Sequence, residues 1–229
     1  MNLLAARHPG RELLDGELLD PADLRRNLRE MAMLNRLPGG SAMSARAIDS
    51  LLNGSVAEAT VLDVGTGAGD LPRLLLRDGG SRRRVVAIDL RDEVLDLARG
   101  WTADLARLKF LRADARALPL ADGSVDVAHA SLLVHHLEPD GAVTALREMR
   151  RVARRGVVVN DLRRGAIAFA VTAATVLVLT RGRYTRHDGV LSARRAYTLG
   201  ELDDLAAAAG LRPIWRSAAW LPRVTTVYR

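Results

Sequence analysis

The chain has no cysteine. That absence removes disulfide bonds, thiolate-ligated zinc and thiol nucleophiles together. Aromatics are scarce, with three Trp, three Tyr and two Phe, too few for a platform that stacks nucleic-acid bases. Lysine is nearly absent as well: Lys109 stands alone, so the net charge of +7 is almost wholly arginine. Arginine scattered along a chain describes a solvated face, and no nucleic-acid partner is expected from it. No apolar run is long enough to cross a bilayer. The longest, Ala166 to Thr180, spans roughly 22 Å as a helix against a hydrocarbon thickness of ~30 Å. The start, Met1-Asn2-Leu3-Leu4, lacks a basic segment followed by a long apolar one, so no secretory leader is expected and the protein reads as cytoplasmic.

Against those absences stand 229 residues with 48% apolar content, enough for a full core in one domain. One stretch organises them. Val61-Leu62-Asp63-Val64 is an apolar, β-branched run, and Gly65, Gly67 and Gly69 follow at every second position. An amphipathic helix begins at Leu71. Strand, glycine turn and helix together aim backbone N–H groups at a nucleotide-like ligand. A dinucleotide fingerprint would need G-x-G-x-x-G. Here Asp70 takes the third glycine's place, and Asp63 adds a second acid. Two carboxylates repel a pyrophosphate and suit a ligand that carries positive charge.

At these residues the chain resembles the class I S-adenosylmethionine-dependent methyltransferases, whose first motif is D/E-x-G-x-G-x-G. The run Ala117-Leu118-Pro119-Leu120-Ala121-Asp122-Gly123-Ser124-Val125-Asp126-Val127 is similar to a second motif of that family. The resemblance covers about residues 55–162. It implies an α/β fold, with a doubly wound, mostly parallel sheet of seven strands and a helical lid. Residues 1–54 would be the lid. Residues 55–229 would be the methyltransferase domain, with an apolar insertion at about 163–197.

The same resemblance implies S-adenosylmethionine as cofactor. Asp63, Gly65, Thr66, Gly67, Gly69 and Asp70 form the loop that would hold it. Asp89, 24 residues beyond Gly65 and followed by Leu90, would take the ribose hydroxyls. Asp114, with Ala115, would accept from the adenine amine. Ser131 and Leu132 close strand four beneath the cofactor. Asn35 and Arg36, in a turn between two N-terminal helices, are candidates for its carboxylate.

His135-His136 follow strand four, where an acceptor would approach the methyl group. Asp161 ends strand five, 25 residues after His136. This spacing resembles sugar O-methyltransferases, and the chain as a whole is similar to UbiE-like enzymes. His136 is the expected base, oriented by Asp161, with His135 as the alternate. A neutral imidazole with an ordinary pKa near ~6.5 can accept the proton of a phenol-like hydroxyl. The strand-four motif D/N-P-P-Y/F of amino-directed relatives is missing, which disfavours methylation of exocyclic amines. The lack of cysteine excludes C5 methylation of pyrimidines through a cysteine adduct. The His and Asp positions show no metal-ligand spacing, so no metal is expected.

The run Ala166–Thr180 is apolar on nearly every side. It reads as the wall of a lipophilic acceptor pocket or as a core helix, with a monolayer contact or a dimer contact also open. Phe169 within it, and Tyr184, Arg186 and His187 after it, are the expected acceptor residues. Arg183 to Gly189 reads as a polar turn, and residues 1–19 as having little fixed pattern. Asp161–Gly210 resembles bacterial methyltransferases found with polyketide pathways. The partner is thus a small phenolic or lipophilic natural product, methylated on oxygen rather than carbon, by a monomer or homodimer. An RNA methyltransferase and a non-catalytic cofactor-binding protein are the competing classes.

Overall fold

Runs rich in valine become the central strands because each can bury both faces, while the edge runs at 108–112 and 213–216 stay largely exposed. The computed structural model describes residues 4–16, 20–52, 58–78, 83–217 and 222–229. Its strands are β1 (Ala59–Val64), β2 (Arg83–Asp89), β3 (Leu108–Arg112), β4 (Val125–Ser131), β5 (Ala153–Leu162), β6 (Pro213–Arg216) and β7 (Arg223–Tyr228). They form one sheet in the order β3-β2-β1-β4-β5-β7-β6. The first five are parallel to one another, while β7 runs antiparallel to both β5 and β6. The sheet is the expected one, closed by an antiparallel pair.

Among the described residues, eight α-helices surround it: α1 (Pro21–Leu34), α2 (Ser41–Leu52), α3 (Asp70–Asp78), α4 (Asp92–Trp101), α5 (Pro139–Val152), α6 (Ala166–Leu179), α7 (Arg183–Arg195) and α8 (Leu199–Ala208). Alternation along the strands assigns their faces. Val61, Val127 and Val158 turn to Ile48 and Leu51 of α2 and to Leu71 and Leu75 of α3. Leu62, Ala128 and Val157 turn the other way, to Leu146 and Met149 of α5 and to Leu202 and Ala206 of α8. Full burial of each such leucine or valine is worth about 1.5–3 kcal/mol. So α2 belongs to the main core. α1 lies elsewhere: its Leu24 and Leu28 pack on Ala68 of the glycine loop and Val94 of α4.

Local signals set several ends. Asp20 accepts from Ala22 N–H ahead of Pro21, as expected for a helix start. Thr198 and Glu201 complete a capping box for α8. Asn53-Gly54 and Met1-Asn2-Leu3 lie outside the described residues. Gly100 does not stop its helix, because α4 continues to Trp101.

Two expectations fail. Arg183 to Gly189 is not a turn but the start of α7. Glycine sits inside that helix for packing. A Cβ on Gly189 would lie 2.7 Å from Val176 Cγ1 of α6, so the bare backbone lets α6 and α7 approach. The N-terminal stretch also has fixed structure. Residues from Arg7 to Leu14 bond to α7 and to the turn that carries His135.

Candidate active site

The strand order reverses between β1 and β4, and in an open α/β sheet the crevice at such a switch point takes the ligand. A cavity of about 1680 Å³ opens there. Its floor is the loop after β1. Gly65, Gly67 and Gly69 all have positive φ, at 70°, 52° and 70°, which a side chain would strain. Gly67 N–H donates to Asp89 Oδ2 at 3.2 Å, and Arg91 N–H to Asp89 Oδ1 at 3.2 Å. Thr66 and Leu90 border the cavity too. Gly69 does not: it faces Thr102 and Ala98 of α4, so its bare backbone serves packing.

A continuous hydrogen-bond network lies under this floor. Asp63 takes His129 Nδ1 at 2.7 Å and the Thr66 hydroxyl at 2.7 Å. His129 Nε2 meets Ser44 Oγ at 2.9 Å, and Asn160 Nδ2 donates to that same hydroxyl at 2.8 Å. Asp70 accepts from Ser41 at 2.6 Å and from Asn35 at 3.3 Å. Arg223 closes the network: its guanidinium donates to Asn35 Oδ1, Asn160 Oδ1 and Ser131 Oγ at 2.5, 3.2 and 2.7 Å. Burial pushes Arg223 down to about 10, against the pull of Asp161 and Asp70. Burial raises Asp70 and Asp89 above the usual carboxylate range, although hydrogen bonds from Ser41 and from Gly67 N–H oppose it. Two acids held this way gain from a cationic or hydrogen-bond-donating ligand.

Further out, Asp114 and Ala115 border the cavity. Arg116 grips Asp114 with bonds of 2.6 to 3.1 Å and holds its pKa down. A carboxylate has about four lone-pair sites, so acceptor capacity remains. Arg36 is exposed in the turn after α1 and does not reach the cavity; its neighbour Asn35 does. The buried cation there is Arg223, from the last strand.

The other half begins where β4 ends. Leu132 adopts φ 52°, an uncommon conformation for a leucine. Its N–H donates to Asn160 O at 2.9 Å. A 3₁₀ turn, Val134–His136, follows. Asp161 pairs with His135, not with the expected His136. Oδ1 lies 2.5 Å from His135 Nδ1, and Oδ2 accepts His135 N–H at 3.2 Å. Both residues are buried. Burial alone would raise the Asp161 pKa, but the charge and hydrogen bonds of His135 and the Leu162 N–H hold it below the usual range. Asp161 keeps a ring proton on Nδ1, so that once the ring is neutral its lone pair is on Nε2.

Sequence reasoning missed Glu12. Its carboxylate is 3.6 Å from Nε2 of His135 and 3.6 Å from Nε2 of His136, and Ser192 donates to it at 2.8 Å. The ligand atoms of Glu12, His135 and His136 all lie within 4.8 Å of one another and could hold a metal ion. Arg7 and Arg195 fix this turn by donating to the carbonyls of His135, His136 and Leu137. The cavity wall is α6 through Val171, Thr172, Thr175 and Val176, and α7 through Thr185, Asp188, Ser192 and Arg195. Phe169, Tyr184, Arg186 and His187 do not line it. Once residues 183–195 are a helix, these three polar side chains fall on its outer face. Arg186 donates to the Thr180 and Leu177 carbonyls at the end of α6, Tyr184 lies under Arg183, and His187 contacts Asp188.

A family model described as a methyltransferase domain matches residues 61–156. The malonyl-[acyl-carrier protein] O-methyltransferase of Pectobacterium atrosepticum is 35% identical over 135 residues, 59% of this chain and 47% of that protein. The ubiquinone/menaquinone biosynthesis C-methyltransferase UbiE of Hahella chejuensis is 34% identical over 107 residues, 45% and 42% of the two chains. The chain spans about half the length of the curated relatives it matches. Among solved structures, a SAM-dependent methyltransferase from Aquifex aeolicus superposes with a TM-score of 0.62 at 21% identity. It covers 92% of this chain and 98% of its own. The magnesium protoporphyrin IX methyltransferase of Synechocystis, solved with SAH bound, gives 0.60 at 14%, covering 93% and 89%. Residues 61–156 of this chain are a methyltransferase domain, and the fold around them is that of S-adenosylmethionine-dependent methyltransferases.

In this methyltransferase domain the matched segment runs from β1 to the start of β5 and so contains the glycine loop, Asp89, Asp114 and both histidines. Asp161, Arg223, α6 and α7 lie beyond it. Glu12 comes before it. No local pattern in the sequence marks Glu12 or Arg223, because each reaches the site only through tertiary packing.

Proposed function

We propose that this chain transfers the sulfonium methyl of S-adenosylmethionine to a hydroxyl of a small phenolic or lipophilic acceptor. The observation that carries the reading is the buried His135–Asp161 pair, in which His135 lines the cavity whose floor is the acid-flanked glycine loop and Asp161 lies behind it. The residues fit the cofactor: positive-φ glycines admit close backbone approach, and Asp70 and Asp89 are buried acids in want of charge or donors. When bound, S-adenosylmethionine supplies an activated methyl group, so the protein's work is alignment, exclusion of water and removal of one proton.

Asp89 takes the ribose hydroxyls and Asp114 the adenine amine. Arg223 and Asn35 hold the cofactor carboxylate. His135 Nε2 accepts the acceptor hydroxyl's proton while the oxygen bonds to the methyl carbon. Bound there, the cofactor would supply the methyl carbon and keep the electron pair of the carbon–sulfur bond on its sulfur. The imidazolium so formed lies between Asp161 and Glu12, which stabilise it. General-base help of this kind is worth about 10²–10⁴-fold. Thr172 Oγ1 is buried on the cavity wall with no hydrogen-bond partner, and a polar group of the acceptor would satisfy it. α1, seated over the glycine loop, acts as the lid.

Glu12 supports a second reading of the acceptor half, in which Glu12, His135 and His136 bind a divalent cation that activates the hydroxyl instead. Titration calorimetry and transfer of labelled methyl to an alkylated phenol test both. Binding of S-adenosylmethionine but not NAD, with transfer that survives chelation by EDTA, is expected. Binding of NAD alone overturns the assignment, and loss of transfer on chelation selects the cation.

A further inference from the structure

Helix α6 has two faces, an inner one that mixes valine with threonine and an outer one that is apolar throughout. Its inner face lines the acceptor cavity through Val171, Thr172, Thr175 and Val176. Its outer face is open. Ile167, Val178, Leu177 and Leu179 are 70%, 78%, 50% and 47% exposed, Ala166, Ala170 and Ala174 are exposed beside them, and Val171 lies at the border between the two faces. No exposed residue of this helix is polar. A water-facing helix ordinarily shows a charged or polar outer stripe, and a contiguous apolar patch of this kind marks a contact surface.

The surroundings name the occupant. Beyond the C-terminal end of α6, Arg181, Arg183 and Arg186 are exposed. Arg26 of α1 joins them, since a Cβ on Gly182 would lie 3.4 Å from its Cδ. The nearby acids are engaged: Glu30 accepts from the backbone of Arg181 and Gly182 and from Thr185, and Asp23 lies 3.5 Å from Arg183. An apolar ridge with a cationic rim is complementary to a lipid surface bearing anionic headgroups. A single protein partner of matching shape would be expected to meet some polar group along the ridge. At 14 residues α6 is about 21 Å long, too short to span, and among the described residues no helix is long and apolar enough to cross a membrane.

We infer that α6 seats this protein on an anionic bilayer surface, with its axis in the plane of the interface. Because the same helix walls the cavity, the acceptor is a molecule dissolved in that bilayer, and it slides past α6 to His135 without crossing water. This inference rests on the methyltransferase reading for the identity of the cavity, but not for the contact itself.

Co-sedimentation of the full chain with vesicles tests the contact apart from catalysis. Vesicles of phosphatidylcholine with phosphatidylglycerol should bring the protein down, phosphatidylcholine alone much less, and added salt should release part of it. The double variant Ile167→Glu, Val178→Glu should lose about tenfold or more in partitioning. It should keep its melting temperature, its affinity for S-adenosylmethionine and its turnover of a water-soluble phenol, while turnover of a vesicle-dissolved alkylphenol falls with the partitioning. Equal sedimentation of variant and parent overturns the inference, as does no sedimentation of either. A dimer in solution that the double variant dissolves also overturns it and assigns the ridge to a second copy of this chain. If cofactor binding fails while vesicle binding holds, the methyltransferase reading falls and the surface contact stands.

Discussion

Replacing Asp161 by Asn alters one buried atom pair and little else in shape. In the parent, Oδ1 accepts from His135 Nδ1 at 2.5 Å and from Leu162 N–H at 2.7 Å, and Oδ2 accepts from His135 N–H. An amide in that place offers one oxygen and one NH₂. With its oxygen in the place of Oδ2, where it keeps the His135 N–H, the NH₂ takes the place of Oδ1, loses the Leu162 N–H and faces Nδ1, which must then become the acceptor. The ring proton moves to Nε2, and the nitrogen that faces the cavity can no longer take a proton from the acceptor. The deficit in kcat is therefore the whole of the general-base contribution, about 10²–10⁴-fold, while KM for the acceptor changes little.

Stability should fall by about 1–3 kcal/mol, the cost of losing charged hydrogen bonds in a buried site. The sign follows from the lowered Asp161 pKa. An acid with a depressed folded value stabilises the fold above its unfolded value near ~3.9 and loses that contribution as pH falls through the folded value. So the stability gap between parent and variant should close in acid. The rate gap should close in base, because a phenol ionises unaided near pH ~10 and needs no base. Steady-state kinetics across pH with labelled cofactor measure this, beside calorimetric cofactor affinity. A deficit of only a few-fold at neutral pH, or one that persists undiminished up to the phenol's own ionisation, would refute the reasoning.

Cofactor affinity should weaken as pH falls. Burial raises the Asp70 and Asp89 pKa values, so these two acids destabilise the free fold above their raised values, and that penalty fades as acid protonates them. Bound cofactor needs them ionised, so each acid that must ionise costs up to about tenfold in affinity per pH unit below its raised value. Calorimetry from neutral pH downward checks it, and Asp89→Asn should lower affinity about tenfold or more and flatten the slope; a pH-flat parent would remove both acids from the cofactor. Gly156→Ala places a Cβ 2.6 Å from the Tyr228 carbonyl oxygen and 3.1 Å from Leu51 Cδ1. It should force β5 and β7 apart and cost several kcal/mol, about the upper end for a single substitution. Chemical denaturation reads it, and a midpoint equal to the parent's would show that the strands have slack.

What was legible in the sequence was local, and what was hidden was held from afar. The strand–glycine–helix signal at Val61–Leu71, the acids ending β2 and β5 and the capping box at Thr198 each depend on residues a few positions apart, and all are where the pattern put them. The choice between His135 and His136 could not be made that way. It depends on a 3₁₀ turn whose carbonyls Arg7 and Arg195 grip from opposite ends of the chain. Glycine inside α7 looked like a turn because the sequence does not display the Val176 side chain that crowds it. The misreading had a consequence for chemistry. Read as a turn, residues 183–189 offered Tyr184, Arg186 and His187 to the pocket; wound as a helix, they present Thr185, Asp188 and Ser192 instead, and Ser192 positions Glu12. Most of the cofactor half is thus encoded by short-range pattern, with Arg223 joining it from the last strand, whereas the acceptor half is assembled from the N-terminal stretch, α6 and α7. Substitutions that alter acceptor choice are accordingly expected in Glu12, α6 and α7, outside the segment that the family model recognises.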